Sequence, residues 1–159
     1  MASVTKRLTN ELSDINNNRP REIVYMQPNE DNLMHWRAII QGPLDSPYED
    51  GMFELGINIP MEYPMKPPSV VFVTPVCHPN VHFETGEICL DILKAEWSPV
   101  WTLKTVCTAV HSLLLDPEPS SPLNCDAANL LRCGDTMAYN SLVRMYTHMY
   151  SIKKLLLEE

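Results

Sequence analysis

The residues best suited to chemistry lie between His78 and Trp101, and the most reactive of them is Cys89. Glu87 and Asp91 flank this cysteine, and no Lys or Arg lies within four positions of it. Nearby negative charge disfavours a thiolate, so the local sequence supplies no activated nucleophile of the peptidase type. An unactivated thiol suits a different task, which is to hold an acyl group as a thioester after another enzyme has supplied the activation energy.

Two polar residues upstream of Cys89 each have two interpretations. Asn80 follows a proline, where asparagine commonly caps a turn, but it could also donate a hydrogen bond to the oxyanion formed when a thioester is attacked. His78 would be the base of a cysteine hydrolase, whereas a histidine in a turn more often makes structural hydrogen bonds. The spacing leaves these alternatives open, as it does a buried structural role for Cys89 itself.

The cysteines predict free thiols rather than a metal site or a disulfide framework. Their number is five, which is odd, and no two of them form a C-x-x-C pair. The group Cys77, His78, His82 and Cys89 matches no common zinc-ligand spacing. We therefore expect no metal and no cofactor. We expect the remaining thiols to lie in the core: Cys77, Cys107, Cys125 and Cys133.

Length and charge limit the class of protein. A chain of 159 residues with 45% hydrophobic residues predicts one globular domain over residues 1–159. The net charge of −8 argues against a general binder of nucleic acid or of anionic membranes, which would need a basic face. Residues 1–20 lack the apolar core of a signal peptide, and no apolar run is long enough to span a bilayer. We expect a soluble protein of a reducing compartment.

The elements that must position Cys89 form an α+β pattern. A helix is predicted over residues 3–16, where Val4, Leu8, Leu12 and Ile15 share one face. Four strands with short links follow and favour an antiparallel meander; they are Ile23–Met26, His35–Ile40, Met52–Ile59 and Ser69–Val73. A polar turn is predicted over residues 27–32 and a long irregular loop over residues 74–101, and long ordered loops are usually functional. Helices are predicted after Thr102, over about 124–132, and after Asp135.

Several loop residues could pack locally or form an exposed contact patch, and the sequence leaves both interpretations open. Met65, Pro99 and Val100 are of this kind. Trp97 and Trp101 are expected to pack against the core. Lys6 and Arg7 are, by default, part of a solvated helix face.

Taken together, several motifs resemble those of the ubiquitin-conjugating enzymes, and the resemblance covers nearly the whole chain. The motifs are H-P-N at 78–80, G-x-I-C-L-D-I-L at 86–93, W-S-P at 97–99, Y-P-x-x-P-P at 63–68, G-P at 42–43 with S-P-Y at 46–48, D-P-x-P at 116–119 and S-P-L at 121–123. The resemblance implies a first helix, a four-stranded antiparallel meander and further helices. It also implies that a cysteine accepts ubiquitin from the activating enzyme and passes it to a substrate with the help of a ligase.

The same resemblance assigns roles to individual residues. The family's cysteine falls on Cys89, its asparagine, which stabilises the oxyanion or the loop, on Asn80, and its acidic residue after the cysteine on Asp91. The surface for the activating enzyme and ligase falls on Lys6, Arg7, Met65, Pro99 and Val100. Two departures stand out: Asn80 and Cys89 are nine positions apart, one more than in the most generic members, and Ser121 replaces an acidic residue thought to position or deprotonate an incoming lysine.

A narrower resemblance is to the peroxisomal branch of the family. It rests on S-P-L-N-C-D at 121–126, N-L-L-R at 129–132, G-D at 134–135, Y-N-S at 139–141 and the loop V-H-F-E-T-G-E at 81–87. It implies ubiquitination of the peroxisomal import receptor on cysteine, a RING-type peroxisomal ligase, a membrane anchor protein, and a peripheral location on the cytosolic face of the peroxisomal membrane as well as in the cytoplasm. The alternatives are a general cytosolic enzyme with lysine substrates, a non-catalytic binding partner and a cysteine hydrolase.

Overall fold

The computed structural model describes residues 2–153, with side chains from residue 4 onward. The chain forms the elements α1 (Ala2–Asn17), β1 (Ile23–Asn29), β2 (Asn32–Gln41), β3 (Met52–Asn58), β4 (Ser69–Phe72), α2 (Leu103–Leu115), α3 (Cys125–Arg132) and α4 (Thr136–Tyr150), with a 3₁₀ turn at Asp91–Leu93. The strands pair antiparallel in the order β1-β2-β3-β4. The predicted α+β class and meander are therefore confirmed.

The sheet buries one face, as the alternation in β3 predicts. Phe53, Leu55 and Ile57 are buried, while Glu54 and Gly56 on the opposite face are half-buried. The predicted polar turn over residues 27–32 is wrong in extent, because β1 continues to Asn29 and β2 begins at Asn32. Pro28 pairs opposite Trp36; β1 is an edge strand, where the missing N–H of a proline is tolerated.

The helices follow the predicted caps and apolar faces. Thr102 caps α2 through a capping box with Thr105. The Asn124 side chain accepts from the Ala127 N–H at 3.1 Å at the start of α3. The Asp135 side chain accepts from the Ala138 N–H at 3.0 Å at the start of α4. None of the helices between residues 2 and 153 is long and apolar enough to cross a bilayer.

The four cysteines other than Cys89 divide into two groups. Cys77 and Cys107 are buried, and burial raises the pKa of Cys77 to about 11. Cys125 and Cys133 are exposed, so their prediction as core thiols is wrong. The physical reason is their place at the two ends of α3, Cys125 as its first residue and Cys133 as its C-cap, whereas the buried positions Ala127 and Ala128 lie inside the helix.

A candidate thioester site at Cys89

Two short β-bridges order the segment that carries Cys89. Glu87 bridges to Val71 of β4, and Ile88 bridges to Val81. The predicted irregular loop is thus anchored to the sheet. Gly86 makes the turn before the bridges with a φ of 70°, and a Cβ there would lie 2.0 Å from the Phe72 carbonyl oxygen. Only glycine fits such a position.

Backbone hydrogen bonds close the turn between Asn80 and Cys89. The His82 N–H donates to the Glu87 carbonyl oxygen at 2.8 Å, and the Gly86 N–H donates to the His82 carbonyl oxygen at 3.0 Å. The Cys89 N–H donates to the Asn80 carbonyl oxygen at 2.8 Å. The nine-position spacing therefore leaves the backbones of Asn80 and Cys89 in direct contact.

Cys89 lies on the accessible side of this extended segment. Ile88 is buried, whereas Glu87 is exposed and Cys89 is half-buried. Alternation along an extended chain explains the pattern, since Ile88 anchors the segment in the core and its neighbours face outward. The 3₁₀ turn that follows begins at Asp91, which is exposed. A partly open thiol on an anchored backbone is suited to carry a covalent group.

The Asn80 side chain ties this segment to the loop after α2. Its amide nitrogen donates to the carbonyl oxygens of Glu118 at 2.7 Å and Ser121 at 3.3 Å, and its oxygen accepts from the Glu118 N–H at 2.8 Å. Asn80 is 2% exposed, so both ends of a buried amide are satisfied by protein groups. These contacts support stabilisation of the loop, one of the two roles that the resemblance allows for Asn80.

Further hydrogen bonds hold the same loop, which we call the gate loop and define as residues 117–124. The Pro79 carbonyl oxygen accepts from the N–H groups of Leu123 and Asn124. The Arg132 guanidinium donates from Nη2 to the Pro119 carbonyl oxygen at 2.5 Å. The sequence indicates Arg132 only as part of a motif. Nothing local in the sequence predicts its contact with a residue thirteen positions away.

The gate loop has a serine, and therefore no carboxylate, at position 121. Ser121 is exposed. The nearby Glu118 carboxylate accepts from the Ser120 N–H at 3.0 Å, and hydrogen bonds from Ser120 lower the pKa of Glu118. The one carboxylate within the gate loop therefore caps the loop backbone.

His78 does not act as a base. Its side chain is completely buried, its Nδ1 accepts from the Asn80 N–H at 3.0 Å, and its Nε2 lies 2.8 Å from the Leu113 carbonyl oxygen. Nδ1 must be the acceptor, so Nε2 carries the proton and donates to Leu113. Burial lowers the pKa of His78 to about 4, despite the opposing hydrogen bond to Leu113. The cysteine hydrolase with His78 as its base is therefore wrong.

The residues assigned to the docking surface lie on α1, on the loop between β3 and β4, and on the loop before α2. Lys6, Met65, Pro99 and Val100 are exposed, with Met65 74% and Val100 86% accessible, so the three loop side chains do not pack locally. Arg7 is half-buried, and its Nη2 donates to the carbonyl oxygens of Pro99 and Trp101. Arg7 therefore connects α1 to the loop that carries Val100.

The two tryptophans pack as predicted. Trp97 and Trp101 are half-buried against the core. Trp97 Nε1 donates to the Pro64 carbonyl oxygen at 2.9 Å. No group of three or more His, Cys, Asp or Glu within the described part of the chain is placed to hold a metal ion.

Comparison with known proteins agrees with this fold. The model of the ubiquitin-conjugating enzyme family matches residues 7–147. The chain belongs to the ubiquitin-conjugating enzyme family, and it is an enzyme of ubiquitin transfer whose partners are ubiquitin and the ubiquitin-activating enzyme.

Its relatives include enzymes with peroxisomal names. It is 51% identical over 144 residues to the "Ubiquitin-conjugating enzyme E2 pex4" of Dictyostelium discoideum, covering 91% of this chain and 97% of that protein. It is 54% identical over 123 residues to "Protein PEROXIN-4" of Arabidopsis thaliana, covering 77% and 78%. The crystal structure of the H. polymorpha ubiquitin-conjugating enzyme Pex4p, solved in complex with the soluble domain of Pex22p, matches with a TM-score of 0.89 and 42% identity, covering 92% of this chain and 97% of that one.

Proposed function

We propose that Cys89 accepts the C-terminal carboxyl group of ubiquitin as a thioester and transfers it to a protein acceptor at the peroxisomal membrane. One observation carries this proposal. Cys89 is half-buried on an anchored segment, and its N–H donates a hydrogen bond to the Asn80 carbonyl oxygen. The Asn80 side chain in turn holds the gate loop. A partly open thiol beside a fixed loop suits an acyl carrier.

Both chemical steps are thioester exchanges at the same carbonyl carbon. In the loading step, the Cys89 thiolate attacks the ubiquitin thioester on the activating enzyme, a new C–S bond forms, and the activating enzyme's thiolate leaves and takes a proton from solvent. In the transfer step, a deprotonated nucleophile of the acceptor attacks the same carbon, and Cys89 leaves as a thiolate that takes up a proton from solvent. The activating enzyme supplies the energy earlier, in an ATP-dependent step.

The gate loop favours a thiol acceptor. A lysine ammonium must lose a proton before it can attack, whereas a thiol is already partly ionised near neutral pH. Ser121 carries no charge with which to position or deprotonate a lysine, and the Glu118 carboxylate is engaged by the Ser120 N–H. We therefore propose that the acceptor is a cysteine of the peroxisomal import receptor, with receptor recycling as the outcome.

The peroxisomal relatives support a proposal for the remaining partners. The H. polymorpha enzyme was crystallised with the soluble domain of Pex22p. We propose that a corresponding anchor protein holds this chain on the cytosolic face of the peroxisomal membrane, and that a RING-type peroxisomal ligase assists the transfer. We propose that the activating enzyme and the ligase dock on the surface formed by Lys6, Arg7, Met65, Pro99 and Val100.

A loading assay tests the central proposal. Incubation with ubiquitin, activating enzyme and ATP should yield an adduct that a reductant removes. Cys89→Ala should abolish the adduct, and Cys89→Ser should give an ester that resists reductant but is cleaved by base. Cys133→Ser is the matched control, because Cys133 is an exposed thiol at the end of α3 away from the gate loop. An adduct that survives in Cys89→Ala would refute the proposal.

The acceptor requires a separate assay with the import receptor, the ligase and the loaded enzyme. A receptor adduct that a reductant cleaves would support cysteine as the acceptor. An adduct that resists reductant would indicate lysine, and would favour the alternative of an enzyme with lysine substrates.

A further inference from the structure

Glu11 is a buried carboxylate that the chemistry at Cys89 does not use. It is 6% exposed, so its charge requires partners inside the protein. Its Oε1 accepts from Arg7 Nε at 2.5 Å and from the Tyr63 hydroxyl at 2.6 Å. Its Oε2 accepts from the N–H of Leu103, the first residue of α2, at 2.8 Å. One carboxylate thus joins α1, the loop after β3 and the start of α2.

The first arm of this network reaches the loop that presents Val100. Arg7 uses Nε for Glu11 and Nη2 for the carbonyl oxygens of Pro99 at 3.0 Å and Trp101 at 2.8 Å. Because the guanidinium is a rigid planar fork, fixing Nε on Glu11 also fixes the direction of Nη2. Burial alone would lower the pKa of Arg7, but the hydrogen bond and charge of Glu11 outweigh it and raise that pKa. Glu11 therefore orients the side chain that holds the Val100 loop.

The second arm reaches the loop that presents Met65. The Tyr63 hydroxyl donates to Glu11, and burial together with Glu11 raises the pKa of Tyr63, so the hydroxyl keeps its proton. The Tyr63 ring packs against Trp97 with the ring centroids 6.0 Å apart. Trp97 Nε1 donates to the carbonyl oxygen of Pro64, the residue before Met65. Arg7 Cζ lies over the Tyr63 ring, 5.6 Å from the ring centroid. This contact links the two arms.

We infer that Glu11 is a positioning residue for docking: it holds Met65, Val100 and α1 in the one arrangement that the activating enzyme binds. This inference rests on the proposed docking surface. Buried ion pairs contribute little net stability compared with apolar residues of similar size. Three docking segments that converge on one carboxylate are therefore better explained by alignment of the surface than by stability. A partner that covers exposed Met65 and Val100 must present a complementary apolar patch.

The test compares Glu11→Gln with wild type in loading and in discharge. The glutamine oxygen can still accept from Arg7 and Tyr63, but the variant loses the charge and brings an NH₂ group against the Leu103 N–H. We expect the KM of the activating enzyme for this protein to rise about tenfold, with kcat within about twofold. Such a pattern indicates lost binding without lost chemistry. Discharge of the preloaded enzyme to free cysteine, which requires no docking, should remain at the wild-type rate.

Two variants accompany Glu11→Gln. Glu54→Gln is the matched control, because Glu54 also pairs with an arginine, Arg37, but on the sheet. It should leave KM unchanged. Tyr63→Phe removes a single hydroxyl from the network and should raise KM in the same direction by a smaller factor, so the test does not depend on how well Glu11→Gln folds.

A double-mutant cycle with Val100→Asp separates this inference from the docking proposal. Val100→Asp should raise KM by itself, and its effect should be smaller in the Glu11→Gln background, because both changes weaken the same contact. Additive effects, an unchanged KM in Glu11→Gln, or an equal fall in discharge would each overturn the positioning role. No effect of Val100→Asp on loading would overturn the docking surface itself, and the inference with it.

Discussion

Asn80 and Glu118 form a closed pair: the Asn80 amide nitrogen donates to the Glu118 carbonyl oxygen at 2.7 Å, and the Asn80 oxygen accepts from the Glu118 N–H at 2.8 Å. The two residues are 38 positions apart. Since the Asn80 carbonyl oxygen also accepts from the Cys89 N–H, one residue connects the nucleophile to the gate loop. Changes at either end of this connection should therefore affect transfer.

The first prediction concerns Asn80 itself. Asn80→Ser removes the hydrogen bonds to the Glu118 backbone and leaves buried polar groups without partners. We expect stability to fall by about 1–3 kcal/mol, the usual cost of an unsatisfied buried group. Single-turnover discharge to free cysteine should slow more than loading does, because Asn80 joins the gate loop to the backbone of Cys89. A discharge rate equal to wild type would contradict this prediction.

The second prediction uses Arg132 to separate the two roles of Asn80. Arg132→Ala removes the hydrogen bond to Pro119 without touching Asn80. If Asn80 acts by holding the gate loop, discharge should also slow in Arg132→Ala, by roughly twofold to tenfold, the worth of one surface hydrogen bond. If Asn80 acts only on an oxyanion, the rate should not change. Arg144→Ala, an exposed arginine on α4, is the control.

The third prediction concerns Ser121. Ser121→Asp should raise the rate of discharge to free lysine several-fold, because a carboxylate can position and deprotonate the incoming ammonium. Discharge to free cysteine should change little. Ser121→Asn has a similar size and no charge, so it should not accelerate the lysine reaction. Equal acceleration in both variants would show that charge is not the cause.

The fourth prediction is a pH dependence of stability that arises from His78. Burial lowers its pKa from the ordinary 6.5 to about 4. Between these values the unfolded chain binds a proton that the folded chain does not, so stability falls as pH falls through this window. The full effect is roughly 3 kcal/mol and is reached below the folded pKa.

His78→Gln tests that dependence. Glutamine can still donate to the Leu113 carbonyl oxygen, but it does not titrate. Urea unfolding at a series of pH values from 7 to 4 should give a shallower loss of stability in the variant than in wild type. Parallel curves would contradict the assignment of a neutral, buried histidine.

Much of the fold could be predicted because its signals are local. The Thr102 and Asp135 caps, the alternation in β3 and the apolar face of α1 each involve residues within a few positions of one another. The sheet order also followed, since short links between strands favour neighbours. The ends of the strands are not set by local signals alone. The residues around Pro28 predict a turn, because they do not show that β1 is an edge strand that can include a proline.

The site was only partly predictable, because its contacts join residues that lie far apart in the sequence. Cys89 and Asn80 could be named from the motif, but the partners of Asn80 lie far along the chain, and no local pattern pairs them. Glu11 is a charged residue of α1, and nothing around it in the sequence predicts its burial. Its burial depends on Tyr63 and Leu103, which only the folded chain brings to it.

The turn over residues 82–87 separates the tip of the loop from the nucleophile. The bridge from Val81 to Ile88 closes its base, while Phe83 at the tip is 55% exposed and touches Tyr146 of α4. The N–H groups of Glu84 and Thr85 donate to His82 Nδ1, so the tip is held from within its own turn. We therefore expect a short peptide inserted beside Phe83 to leave the loading of Cys89 at the wild-type level.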